Sequence, residues 1–148
     1  MATVVIDDHL LRDVLTGNRS PDLEGIATSL ATTGLWLFRL SSALASPDVV
    51  GKLTAPVAAL SAEQQDAFRA RLVALPDEIE VLPLRQLAWP IALLQHRHRS
   101  AGRPLSATMA EALAAAQTLG GPIAVSSRYV GPNLEAAAEH DRVPFTIL

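Results

Sequence analysis

The apolar pattern of this chain begins with an unbroken run and then changes to a helical rhythm. Thr3-Val4-Val5-Ile6 is short, β-branched and uncharged, the pattern of a strand buried on both faces, and it ends abruptly in Asp7-Asp8-His9. Leu10-Leu11-Arg12-Asp13-Val14-Leu15 then reads as a helix, closed by the turn cluster Thr16-Gly17-Asn18-Arg19-Ser20-Pro21. Ser20 as N-cap and Pro21 as first helical residue open a second, short helix. Between Ile26 and Leu44, Leu30, Leu37, Leu40 and Leu44 recur at helical spacing, but Thr32-Thr33-Gly34 interrupts them. Two readings stand there: one helix, or a short strand or turn followed by a helix over Leu35 to Leu44.

Ser46-Pro47-Asp48 breaks the chain, and Ser61-Ala62-Glu63-Gln64 resembles a capped start for a helix over Ala62 to Leu75 with Phe68, Leu72 and Leu75 inward. Ile79 to Leu84 is a strand whose proline places it nearer the sheet edge. Arg85 to Ser100 is a helix in which Pro90 removes a donor and predicts a kink. Met109 to Leu119 is a helix so rich in alanine that it can lie close to a sheet, and Gly120-Gly121-Pro122 stops it. Ile123-Ala124-Val125 is a short buried strand with Ser126-Ser127-Arg128 at its carboxyl end, followed by a helix over Asn133 to His140 and a last strand over Val143 to Leu148. Strands separated by helices imply right-handed crossovers. The predicted fold is α/β: one domain over residues 1–148 with a parallel sheet of four to five strands flanked by helices.

Composition narrows the chemistry. With no cysteine among 148 residues, a metal can sit only on oxygen or imidazole. Although 49% of residues are hydrophobic, charges interrupt every apolar stretch, so no membrane span is predicted, and the absence of a basic leader points to the cytoplasm. A net charge of −3 argues against whole-surface attraction to nucleic acid and leaves only a local basic strip. That strip is His96-Arg97-His98-Arg99 with Arg103, read either as a phosphate or RNA contact or as a solvated helix end. Asp7 and Asp8, at the carboxyl end of a buried strand, are metal-ligand or general-base candidates, with helix capping as the alternative, assigned to Asp8 in preference to Asp7. No glycine-rich phosphate loop and no hydrolase triad is present. Leu35, Trp36 and Phe38 exceed what one helix face can bury, which suggests a homodimer interface.

The stretch Leu105-Ser106-Ala107-Thr108-Met109-Ala110-Glu111-Ala112-Leu113, continuing to Leu119-Gly120-Gly121-Pro122-Ile123-Ala124-Val125-Ser126-Ser127-Arg128, resembles the end of a PIN domain, and Val4-Val5-Ile6-Asp7 resembles its first strand. The resemblance covers nearly the whole chain. It implies a three-layer fold and kinship with the ribonucleases of toxin–antitoxin pairs, in which about four carboxylates hold Mg²⁺ or Mn²⁺. An antitoxin-like protein and RNA are the partners it implies. Carried over by position, Asp7 matches the first acid, whereas Thr33, Met109 and Ser127 stand where the other three are expected. Glu111 is two residues from Met109, about 200° around a helix, and so is expected to face away. The reading is a degenerate member that keeps the scaffold and binds RNA or protein. Its rival is an active nuclease with a site rebuilt from Asp7, Asp8, Glu111 and a further group such as Ser127. Arg97, Arg99, Arg103 and Arg128 are the candidate nucleic-acid contacts.

Overall fold

The computed structural model describes residues 2–46, 51–129 and 131–148. Pro47 and Asp48, part of the predicted break, lie outside them. The chain enters β1 at Ala2–Ile6, then forms α1 (Asp8–Leu15), α2 (Pro21–Ile26), β2 (Ala27–Thr32) and α3 (Gly34–Ala45). It continues through α4 (Ala55–Ala58), α5 (Ala62–Val73), β3 (Ile79–Val81) and α6 (Leu84–Ser100). The last third forms α7 (Ala107–Leu119), β4 (Ile123–Val125), α8 (Pro132–His140) and β5 (Phe145–Ile147).

The strands form one sheet in the order β3-β2-β1-β4-β5, and every neighbouring pair is parallel. The fold is therefore the expected α/β arrangement with five strands. Uncharged β1 takes the central place, and Val4, Val5 and Ile6 are wholly buried. Because side chains alternate along a strand, Val5 enters the core beneath α6, α7 and α8, while Val4 and Ile6 enter the core on the other face with α1, α3 and α5. β3 is an edge strand, as its proline suggested; it stops at Val81 because Pro83 N-caps α6.

The open choice at residues 26–44 resolves as strand then helix. Thr33 is the reason: its backbone is extended, and its hydroxyl accepts a hydrogen bond from Trp36 N at 3.1 Å, so a new helix starts there. Ser20 and Ser61 cap α2 and α5, the latter with a full capping box to Gln64. α6 runs as one helix through Pro90, burying Leu87, Ile91, Leu94 and His98 along one stripe. α8 begins at Pro132, one residue ahead of the reading from sequence, and β5 is shorter than the Val143–Leu148 stretch.

Alanines at positions 110, 112 and 114–116 are buried and let α7 lie against the sheet. Its exit is fixed by two glycines. Gly120 adopts φ 66 as a left-handed C-cap, and a Cβ on Gly121 would sit 1.9 Å from the carbonyl oxygen of Thr3. Among the described residues no helix is long and apolar enough to cross a membrane.

Candidate functional site

The strand order reverses at β1: the chain moves outward to β2 and β3 on one side, and to β4 and β5 on the other. In open α/β sheets the crevice beyond the strand ends at such a switch point is where ligands bind. Asp7 ends β1 there and is fully buried.

Both oxygens of Asp7 already have backbone partners. Oδ1 accepts from Leu10 N at 2.9 Å, capping α1, and Oδ2 accepts from Ser126 N at 2.9 Å, fastening the end of β1 to the end of β4. Burial pushes the Asp7 carboxyl up to about 7; the two N–H donors oppose that, and the negative charges of Asp8 and Asp13 reinforce it. The cap thus belongs to Asp7, whose backbone is extended, and not to Asp8, which is already the first helical residue. Asp8 is buried too; its Oδ1 accepts from His9 N at 2.9 Å, while Oδ2 has no hydrogen-bond partner among the described residues. Arg39 Nε lies 3.6 Å from that Oδ2.

Glu111 joins the same end of the sheet from α7. It is buried, and its Oε1 accepts from Leu35 N at 2.8 Å in the first turn of α3, where a helix N-terminus favours an anion. The expectation that Glu111 faces away rested on Met109 facing the cleft. Met109 instead packs half-buried against the core, and the helix presents Glu111 to α3. Thr33, where the resemblance implies an acid, is the N-cap of α3. Ser127 is exposed, and its N–H donates to Leu148 O at 2.8 Å; its neighbour Ser126 supplies the amide that reaches Asp7.

Three further side chains at this end were not singled out from sequence as site residues. Arg39 carries no local signal, since only the docking of α3 brings it to Asp8. His9 is half-buried, and burial holds its imidazole below the ordinary value, with Arg12 and Arg128 adding to that and Asp8 opposing it. Arg12 Nη1 lies 3.3 Å from His9 Nδ1. Tyr129 packs edge-on to Trp36 with ring centroids 6.2 Å apart, and a Cβ on Gly131 would meet its ring at 2.4 Å. Burial first, then Asp7, pushes its phenol up to about 12.

This set does not fit Mg²⁺ or Mn²⁺. Hard divalent cations need several free oxygens around one point. Both oxygens of Asp7 and one of Glu111 face backbone N–H groups, and among the described residues Asp8 is the acid with a buried oxygen that has no donor. Among the described residues no three His, Asp or Glu side chains are placed to hold an ion.

The basic strip lies elsewhere. Asp141, the C-cap of α8 just ahead of β5, accepts through Oδ2 from Arg97 at 2.5 Å and from Gln117 near the end of α7 at 3.2 Å; His98 Nε2 lies 3.1 Å away. These elements precede β4 and β5, so the strip sits at the amino end of the sheet, opposite Asp7. α6 ends at Ser100, so Arg103 does not continue its face; Arg103 Nε donates to Nδ1 of the fully buried His98 at 3.2 Å. Arg99 and Arg128 are exposed and have no side-chain partner among the described residues.

The sequence matches no protein-family model and no curated protein at a significant level. Solved structures do match. FitAcB from Neisseria gonorrhoeae aligns over 97% of this chain and 96% of its own, with 14% identity and a TM-score of 0.58. FitAB bound to an IR36 DNA fragment aligns over 98% of this chain and 94% of its own, with 13% identity and a TM-score of 0.57. At such identities the likeness is one of architecture: the chain has the α/β fold of these structures, a five-stranded parallel sheet flanked by helices in the PIN-like manner.

Proposed function

We propose that this protein is a degenerate PIN-like member of the toxin–antitoxin group: a non-catalytic module that binds RNA, with an antitoxin-like protein as its partner. One observation carries the reading. Asp7, the carboxylate at the switch point, holds α1 and β4 in place, and among the described residues no three His, Asp or Glu side chains come together where an ion could sit. The shared architecture with FitAcB and with FitAB bound to DNA supports the toxin–antitoxin connection. Arg128, exposed at the rim of the crevice, is the candidate phosphate contact there.

The test pairs cleavage with binding. RNA incubated with the wild-type chain and Mn²⁺ should stay intact while a gel-shift assay shows a complex. Mn²⁺-dependent cleavage that disappears in Asp7→Ala would instead establish the active nuclease rebuilt around Asp7, Asp8 and Glu111. A homodimer is a second reading, favoured by the exposure of Phe38 on α3 and of Trp89 with Leu93 four residues on along α6. Sizing chromatography of wild type and Trp89→Ser tests it: a dimer that dissociates in the variant supports that interface, and a monomeric wild type rules it out.

A further inference from the structure

Among the described residues the crevice contains one buried acceptor without a hydrogen-bond partner, Oδ2 of Asp8. A buried carboxylate oxygen in that state demands a nearby positive charge. The nearest cation is the guanidinium of Arg39, from the second turn of α3, with Nε at 3.6 Å, too long for a good hydrogen bond and within range of a charge interaction. The rest of that side chain leans outward: it is 54% exposed and makes no hydrogen bond among the described residues. At the Tyr129 phenol the charge of Arg39 works against those of Asp7 and Asp8. α3 therefore brings two things to the crevice, an amide at Leu35 that satisfies Glu111 and a cation at Arg39 that balances Asp8.

We propose that Arg39 is the resident cation of this crevice: its guanidinium takes the charge-balancing place of a divalent ion at Asp8 and keeps such ions out. The inference rests on the reading of the crevice as metal-free and explains how the acids tolerate burial without a metal. A guanidinium carries one delocalised charge and cannot organise oxygen ligands around itself, so it neutralises Asp8 and supplies no metal-bound water. Replacing it with a carboxylate removes the competing cation and adds an acid beside Asp8.

The experiment is Mn²⁺ binding to the full chain, followed by electron paramagnetic resonance and without RNA, for wild type, Arg39→Lys, Arg39→Glu, and Arg39→Glu combined with Asp8→Asn. Wild type and Arg39→Lys should show no saturable binding up to about 1 mM, Arg39→Glu should bind at least about tenfold more tightly, and Asp8→Asn should abolish that gain. Because Arg39 is more than half exposed the variants should fold; circular dichroism checks this, and Arg39→Gln serves if the acidic variant is lost, with a smaller Asp8-dependent gain expected. A folded Arg39→Glu chain, or its Arg39→Gln replacement, that binds Mn²⁺ no better than a silent wild type overturns the role of Arg39 and leaves the metal-free reading standing. Saturable, Asp8-dependent binding by the wild type itself overturns both.

Discussion

The two ends of the sheet each gather charged side chains, and they use them differently. At the amino end, Arg97, His98, Arg103, Gln117 and Asp141 form a closed network in which each polar group answers another and α6, α7 and α8 are tied together. At the carboxyl end, Asp7 and Glu111 answer backbone amides, but Asp8, Arg39 and Arg128 keep atoms unanswered by hydrogen bonds among the described residues. At the amino end the charged partners close on one another. The surplus at the carboxyl end is what a ligand can use.

The largest expected effect concerns the burial of Asp7. With its carboxyl raised from 3.8 to about 7, the folded protein holds a proton that the unfolded chain has released, so stability is fully present below about pH 4 and is lost as pH rises through about 7. The loss is up to about 4 kcal/mol at 1.36 kcal/mol per unit. Urea unfolding across pH 4–8 should show the decline, and Asp7→Asn should flatten it while costing one of the two amide contacts. A flat wild-type profile would break the contrast between the two ends.

Next is the closed network. Asp141→Ala removes a partner of the buried His98 and two contacts to the exposed Arg97 and Gln117, and should lower stability by about 1–3 kcal/mol without altering RNA affinity, measured by unfolding and gel shift. A loss of RNA binding in a folded variant would show that the amino end is not merely structural. Glu111→Ala should cost about 1–2 kcal/mol in urea unfolding by freeing the Leu35 amide. The smallest effect belongs to the rim: Arg128→Ala should leave stability within about 0.5 kcal/mol and reduce the salt slope of RNA binding by about 1, whereas Arg97→Ala should leave that slope unchanged.

Much of the scaffold was legible because its signals are local. The uncharged run at Val4-Val5-Ile6, the caps at Ser20 and Ser61, and the glycine pair at Gly120-Gly121 each specify structure within a few residues. Asp7 was legible for the same reason, as an acid at the end of a buried strand. What it does there was not, because the amide it holds, Ser126, lies 119 residues away. Glu111 was turned the wrong way by anchoring the helix on Met109, and rotation about a helix of buried alanines leaves little amphipathic signal to correct that. Arg39 was invisible, since a lone cation on α3 has meaning only once that helix docks beside Asp8. The partners of the basic strip were not legible, because its neighbours in space come from α7 and the end of α8.

If the carboxylates of the crevice are ties within the fold, as proposed above, an added ion should find no site there. The most direct measurement is the urea unfolding midpoint of the wild-type chain at pH 7.5 with and without Mn²⁺. The midpoint is expected to be the same in both, because among the described residues no three His, Asp or Glu side chains are placed to hold an ion. A rise with Mn²⁺ that vanishes in Asp7→Asn would contradict it.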